Sequence, residues 1–192
     1  MNETKASQDE TREAPLPEIR TMFGDADEAA IQDIEKRYGE LIPPDRLAEM
    51  RAHPTVFETD EEFRTHFDER FGEQPKEGTL GWATEPSEAP HVSTAEVSSV
   101  PEIVYHERLH QAADREAAQA TGSAWHEGLT QALTERATGI SHEGDAIAPY
   151  PEGTARVKSV AEVAGWDALE KLYFAGDKTG LSSEAVEQKA TE

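Results

Sequence analysis

Residues 106–110 read His106-Glu107-Arg108-Leu109-His110, an H-E-x-x-H pattern inside a predicted helix. Four residues advance a helix by about 400°, so the two histidines share one face, one turn apart. Both imidazoles can then reach one metal ion at about 2.0–2.1 Å. Glu107 lies roughly 100° further around the helix, where it can take a proton from water that the metal polarises. The pattern therefore predicts a hydrolytic zinc site with His106 and His110 as ligands and Glu107 as general base.

Chance is a poor explanation for this pattern. A chain with seven histidines and 29 glutamates is expected to contain it by chance in only roughly 0.03 of cases, by our own count of a motif with known false positives. The alternative is a pair of solvated histidines on an acidic helix. Ile103, Val104 and Leu109 give the helix a buried side, which favours the metal site over that alternative.

The third metal ligand has to come from elsewhere in the chain. Catalytic zinc sites hold three protein ligands and keep one position for water. A metzincin-type site would place a glycine and a third histidine at positions 113 and 116, where this chain has Ala113 and Glu116. That geometry is poor, although Glu116 stays open as a ligand.

A carboxylate from the following helix is the better candidate. Glu127 lies 17 residues after His110, at the start of the next predicted helix. A tight turn at Gly122-Ser123 and an antiparallel return would bring Glu127 beside the histidines. Glu135, about two turns further on, is the weaker alternative, and complementarity to the helix dipole would also explain Glu127. We predict Glu127 as the third metal ligand.

These residues carry a family resemblance. His106-Glu-x-x-His110 followed by Trp125-x-Glu127-Gly128-Leu129 resembles gluzincin metallopeptidases, and is most similar to small bacterial or archaeal zincin-like domains, including toxin or effector peptidases. The resemblance covers about residues 79–177. It implies an α+β, zincin-like fold in which a small mixed β-sheet packs on the H-E-x-x-H helix beside a helical C-terminal lobe. It also implies Zn²⁺ as cofactor and a peptide or protein as substrate.

The resemblance extends to outer residues of the site. Such enzymes use a Tyr or His to stabilise the transition state, and Tyr150 is the residue we predict for this role. Two positions depart from the better-known pattern: His126, where Asn is common, and Gln131, where thermolysin-like enzymes carry an Asp that orients a histidine. We predict that His126 is exposed and that His142 lies in a solvated loop.

The chain divides into three predicted segments: a polar, disordered arm at 1–20, one domain at 21–180 and a polar tail at 181–192. Three capping-box patterns predict helix starts, at Asp25/Glu28, Thr59/Glu62 and Ser99/Glu102. The last of these helices is expected to run to about residue 120. Strands are predicted at 79–84 and 91–97, either of which could bind a peptide at the sheet edge, and a loop at 140–158. A stripe of Phe63, Phe67 and Phe71 predicts a core-facing helix.

Charge excludes several partners. Eighteen basic residues against 40 acidic ones give a net charge of −22, so nucleic acids and anionic membranes are not expected to bind. The chain has no cysteine, which removes disulfides and thiol catalysis. Its polar first residues predict no signal peptide, so we expect a cytoplasmic protein or one exported by a specialised system.

The sequence therefore predicts a zinc-dependent endopeptidase that acts as a monomer on a peptide or protein substrate. An effector of this kind would also meet a delivery apparatus or a cognate inhibitor. The alternative is a catalytically inactive zincin-like module that binds a partner or is injected as an effector.

Overall fold

The computed structural model describes residues 16–83, 87–142 and 149–181. These residues form a mixed α+β fold that is mostly helical, with eight α-helices and a small three-stranded sheet. The helices are α1 (Leu16–Tyr38), α2 (Pro44–Ala52), α3 (Asp60–Phe71), α4 (Val100–Ala112), α5 (Arg115–Thr121), α6 (Ser123–Thr138), α7 (Pro151–Ala164) and α8 (Trp166–Ala175). The strands are β1 (Val56–Glu58), β2 (Gly81–Trp82) and β3 (His91–Ser93). The α+β class is thus confirmed.

The described residues include only a small part of the predicted arm and tail. Residues 1–15 of the predicted arm and 182–192 of the predicted tail lie outside the described residues. Helix α1 begins at Leu16, nine residues before the start predicted at Asp25, so residues 16–20 are helical. The division into one domain with an arm and a tail otherwise stays a prediction.

Helix α4, which carries the H-E-x-x-H pattern, lies at the centre of the core. It packs against α1 and α2 on one side and against α6 on another, and it also contacts β2 and β3. Its apolar side chains Val100, Val104 and Leu109 are fully buried, and each stabilises the fold by roughly 1.5–3 kcal/mol relative to exposure. The helix that bears the site is therefore among the most constrained elements of the chain.

A buried ion pair fixes the rotation of α4. Arg108, the first variable position of the pattern, is 0 % exposed, and its guanidinium binds both carboxylate oxygens of Asp27 in α1 at 2.7 and 2.6 Å. It also donates to the backbone carbonyls of Met50 and His53 at 2.9 Å. Because Arg108 faces α1 and α2, the flanking histidines face the other way, towards α6.

The sheet has the strand order β1-β3-β2. Strand β1 runs parallel to β3, pairing Val56 with His91 and Glu58 with Ser93. Strand β2 runs antiparallel to β3, pairing Trp82 with His91. The two predicted strands are confirmed as shorter pieces, and β2 is the edge strand beside α4. Strand β1 was not predicted, because three residues are too few to show an alternating pattern.

Helix boundaries differ from the predictions where local capping decides them. The capping box at Thr59/Glu62 is confirmed. Ser99 makes no capping hydrogen bond, so the third predicted box is wrong. Helix α4 stops at Ala112 rather than near residue 120, because Ala113 is extended and the Asp114 side chain accepts from the Ala117 amide and begins α5.

Two further predictions are wrong in part. Helix α7 begins at Pro151, inside the loop predicted for 140–158, because a proline in the first turn loses no hydrogen bond. Of the phenylalanine stripe on α3 only Phe63 is buried, whereas Phe71 is exposed and packs edge-on against Trp82 with ring centroids 5.5 Å apart.

Candidate metal centre

Two helices bring the predicted metal ligands together. His106 and His110 lie one turn apart on α4, and Glu127 lies in the second turn of α6. The chain between them forms the short helix α5 and then turns at Gly122, whose φ of 81° suits glycine. This return places Glu127 against the face of α4 that carries both histidines, as the sequence predicted.

The three ligand atoms form a nearly regular triangle. Nε2 of His110 lies 3.1 Å from Nε2 of His106 and 3.2 Å from Oε2 of Glu127. Nε2 of His106 lies 3.4 Å from the same carboxylate oxygen. We call these three residues the His106 cluster. Its side chains are buried or half-buried, and together they are able to hold a metal ion.

The size of the triangle fits a tetrahedral metal. Zinc bonds of about 2.0–2.1 Å at tetrahedral angles would place neighbouring ligand atoms about 3.3–3.4 Å apart. The observed separations of 3.1, 3.2 and 3.4 Å match this edge length. Two imidazole lone pairs and a carboxylate oxygen at such distances repel one another unless a cation or a proton lies between them. The donor set therefore suits a divalent cation with its fourth position open.

A chain of hydrogen bonds sets the protonation of His106. Nε2 of Gln131 donates to the Glu102 carboxylate at 3.2 Å, which can only accept. The Gln131 oxygen must therefore face His106, whose Nδ1 donates to it at 3.1 Å. This arrangement puts the imidazole proton on Nδ1 and leaves the Nε2 lone pair directed at the His106 cluster. Gln131 thus orients His106 through its side-chain oxygen.

His110 is held by a second set of contacts from α6. Its Nδ1 lies 3.1 Å from Nε2 of His126 and 3.5 Å from Oγ1 of Thr130. The His126 ring stacks on Tyr173, with centroids 5.2 Å apart, and Thr130 is hydrogen-bonded to the Tyr173 hydroxyl at 2.7 Å. Burial and the neighbouring His110 lower the pKa of His126 to about 4. A neutral His126 can accept the Nδ1 proton of His110, which frees His110 Nε2 for a metal.

Charge in the cluster favours an ionised carboxylate. Burial opposes ionisation of Glu127, but the facing imidazoles of His106 and His110 outweigh it and hold the pKa of that carboxylate well below its usual range. Burial likewise disfavours the charged form of His110, yet the Glu127 and Glu107 carboxylates raise its pKa. Without a metal, the His106 cluster therefore attracts a proton as a substitute cation.

Glu107 lies beside the cluster, under the edge of the sheet. Its side chain is buried, and burial raises its pKa while the two histidines partly oppose the rise. A Cβ at Gly81 would lie 2.6 Å from Oε1 of Glu107, so only glycine lets strand β2 pass this close. A carboxylate with a raised pKa next to a metal site is suited to accept and return a proton near neutral pH.

Tyr150 covers the other side of His106. The two rings stack, with centroids 5.9 Å apart, and the tyrosine is 46 % exposed. Burial and the Glu127 and Glu107 carboxylates raise the pKa of Tyr150, so it keeps its proton at neutral pH and can donate it. Its φ of 48° is left-handed, the sole case at a non-glycine residue in the described ranges. Strained backbone conformations are concentrated at functional sites, and Tyr150 lies beside the candidate metal ligand His106.

A glycine contact positions Tyr150. Gly128 in α6 and Gly153 in α7 meet so closely that a Cβ on Gly128 would lie 2.4 Å from the Gly153 carbonyl carbon. Because Tyr150 immediately precedes α7, this close approach brings its ring to His106. The glycine of the Glu127-Gly128 pair thus has a packing role that does not involve the metal.

The alternative ligands lie elsewhere. Glu135 is buried, but its Oε2 is 2.8 Å from Nζ of Lys158. Glu116 is exposed on α5. Among the other tyrosines, Tyr105 donates to Asp33 in α1 at 2.9 Å, and Tyr173 is buried beneath His126. Of the three candidate carboxylates, only Glu127 meets the histidines.

Sequence reasoning missed three contributors to the site. His126 is half-buried against His110 rather than exposed, and Nε2 of His142 lies 2.7 Å from the Glu102 carboxylate rather than in a solvated loop. The orienting role of Gln131 was also missed. A signal was available for Gln131, because it follows Glu127 by four residues and shares its helix face.

No protein-family model, curated protein or solved structure matches this chain. Among the described residues, no helix combines the length and the apolar character needed to cross a membrane.

Proposed function

We propose that this chain is a zinc-dependent peptidase of zincin-like, gluzincin type. The observation that carries the proposal is the His106 cluster, whose two imidazole nitrogens and one carboxylate oxygen lie 3.1–3.4 Å apart with Glu107 beside them. Two histidines, one glutamate and an open fourth position make up a recurrent set of protein ligands in hydrolytic zinc sites.

His106, His110 and Glu127 would hold the metal through Nε2, Nε2 and Oε2. A bound zinc ion supplies Lewis acidity, which makes water more acidic and polarises the carbonyl of a substrate. The chain contributes the orientation of the ligands. Gln131 and His126 accept the Nδ1 protons of the two histidines, so both rings present their Nε2 lone pairs to the metal.

Glu107 acts as general base and then as general acid. It takes a proton from the attacking water and passes that proton to the amine that leaves. Its raised pKa suits the first step, because a carboxylate with an ordinary pKa near 4.3 is a weaker base towards the attacking water. The tight packing of Gly81 keeps the Glu107 side chain in one position beside the metal ligands.

Tyr150 donates a hydrogen bond to the oxygen that gains negative charge in the transition state. Its phenol keeps its proton because its pKa is raised, and stacking on His106 holds it at the edge of the site. Oriented donors of this kind stabilise a developing oxyanion because they need no reorganisation during the reaction.

The edge strand gives the proposal its substrate class. Within residues 16–83, 87–142 and 149–181, strand β2 pairs only with β3, and its Gly81 lies against Glu107. An extended peptide that pairs with the other side of β2 would run past Glu107 and the metal ligands. We therefore propose a peptide or protein substrate in an extended conformation.

The direct test compares wild type with Glu107→Gln in a broad peptide-library assay, with metal content measured for both proteins. The expected result is zinc in both and peptide cleavage by wild type alone, with the variant reduced at least about 10²-fold. Glu61→Gln, at an exposed position of α3, is the matched control and should cleave like wild type. Stoichiometric zinc without cleavage of any peptide would instead support an inactive binding module.

A further inference from the structure

A second group of metal-ligand side chains lies on the far side of the sheet. Glu58 at the end of β1, His91 at the start of β3 and His66 on α3 each direct one ligand atom to a common point, all within 4.8 Å of one another. We call these three residues the His66 cluster. It shares no residue with the His106 cluster, and the proposed peptidase mechanism does not use it.

Glu58 is the buried centre of the His66 cluster. The residue is 2 % exposed, and its Oε1 contacts Nδ1 of His66 and Nδ1 of His91, the latter at 3.0 Å. Its other oxygen, Oε2, is buried without a hydrogen-bond partner. A buried carboxylate normally has all its oxygens satisfied, because removing an ionised group from water is costly. The carboxylate of Glu58 therefore has acceptor capacity that the two histidines, which contact Oε1, do not use.

The two histidines are set to coordinate rather than to swing freely. The His91 ring lies flat on Trp82, with centroids 4.0 Å apart and planes 6° from parallel, and His66 meets the His91 ring edge-on at 6.0 Å. The side chain of His66 is 48 % exposed, which leaves a path for an ion from solvent. In both rings the nitrogen that faces Glu58 is Nδ1, whereas the His106 cluster uses Nε2.

We propose that the His66 cluster is a second metal site, which takes a zinc-type divalent cation through the Nδ1 atoms of His66 and His91 and the Glu58 carboxylate. Imidazole and carboxylate donors together suit zinc and its neighbours among the transition metals rather than Mg²⁺ or Ca²⁺. Because the ligands come from β1, β3 and α3, the ion would clamp the corner of the fold that supports β2 and Gly81. Its role is therefore structural.

Metal stoichiometry tests this proposal with Zn²⁺ as the probe. Protein stripped with a chelator is titrated calorimetrically, and bound zinc is then counted after gel filtration. Wild type is expected to bind two ions, and His66→Gln, His91→Gln and His110→Gln one ion each. His53→Gln, which changes another half-exposed histidine, should still bind two. If His66→Gln and His53→Gln bind as many ions as wild type, the cluster holds no metal and the proposal fails.

Two further measurements check how the ion is coordinated and whether it stabilises the fold: histidine spectra of the unmodified chain and thermal unfolding of variants. Nitrogen-15 spectra of the histidines are expected to show Nδ1 of His66 and His91 shifting as zinc is added, while His106 and His110 shift at Nε2. Zinc should also raise the thermal midpoint of His110→Gln, in which only the His66 cluster remains, but not that of His66→Gln/His110→Gln. Unchanged Nδ1 signals for His66 and His91 would show that the cluster shares a proton only. Because His66 and His91 lie outside the proposed active site, this result is independent of peptidase activity.

Discussion

The Oε1 atom of Gln131 accepts a hydrogen bond from Nδ1 of His106 at 3.1 Å. Gln131 lies one helical turn after Glu127 on α6, and the Glu127 carboxylate faces the same histidine. The Glu102 carboxylate behind Gln131 forces this direction, because it can only accept. A single segment of α6 therefore supplies both a metal ligand and the group that orients another ligand.

Removing this orienting group should weaken metal binding without unfolding the protein. Gln131→Met keeps the length of the side chain but has no strong acceptor, so the His106 ring loses its fixed tautomer. We expect zinc to bind the His106 cluster about 10–100-fold more weakly, as measured by competition with a chromophoric chelator. Gln32→Met, at an exposed position on α1, is the control. Equal zinc affinity in both variants would show that Gln131 has no role in orienting His106.

The close contact between α6 and α7 predicts that one methyl group added between these helices disturbs the candidate metal centre. Gly128→Ala would place a Cβ 2.4 Å from the Gly153 backbone, so α7 and Tyr150 must move. We expect a loss of about 1–3 kcal/mol in the free energy of unfolding, measured by urea denaturation, together with reduced peptide cleavage.

Gly24→Ala is the matched control for this change. Gly24 lies inside α1 with open space where its Cβ would be, so alanine should stabilise the protein by about 0.5–1 kcal/mol. A Gly128→Ala protein as stable as Gly24→Ala would contradict the observed close packing of the two helices.

The buried pair of Arg108 and Asp27 should contribute far more to the free energy of unfolding than a surface ion pair does. Arg108→Met leaves the Asp27 charge buried and unpaired, which we expect to destabilise the protein by about 3–5 kcal/mol in urea denaturation. Arg64→Met breaks an exposed pair with Asp60 on α3, and there the expected loss is about 0–1 kcal/mol. Similar losses in the two variants would contradict the anchoring of α4 by Arg108.

Charge in the His66 cluster predicts a pH window of stability for the metal-free protein. Burial would raise the pKa of Glu58, but hydrogen bonds from His91 and His66 lower it, and the same carboxylate raises the pKa of His66. The contribution of Glu58 is present above its unfolded pKa of about 4.3 and is lost as pH falls. That of His66 is present below about 6.5 and is lost as pH rises.

We therefore expect the stability difference between wild type and His66→Gln, with chelator present, to be largest between about pH 4.3 and 6.5 and to shrink on either side. Urea denaturation at a series of pH values measures it. A difference that does not vary with pH would show that His66 and Glu58 do not share charge in the folded protein.

The parts of the fold that the sequence predicts are those in which neighbouring residues decide the outcome. Helices α4 and α6 follow from apolar periodicity, and the spacing of His106, His110 and Glu127 follows from helix geometry and one turn. The capping box at Thr59/Glu62 is equally local.

The parts that escaped prediction depend on distant residues or on competing local contacts. Arg108 and Asp27 are 81 residues apart, and no pattern along the chain links them. Glu102 fails to cap α4 because its carboxylate instead accepts from Gln131 and His142, which lie 29 and 40 residues away. The break after Ala112 depends on Asp114 capping a new helix, which competes locally with continuation of α4. Such contacts, whether distant or local, override the helix propensity that the sequence pattern indicates.

The account depends most on Glu127 completing the metal site with the two histidines. Its most direct test is the zinc affinity of Glu127→Gln, measured by chelator competition in the His66→Gln chain so that the His106 cluster alone reports. We expect affinity to fall by more than the roughly 100-fold that loss of an orienting group can cost, while Glu116→Gln, at an exposed position on α5, leaves it unchanged. Equal zinc affinity in Glu127→Gln, Glu116→Gln and the parent would contradict the account.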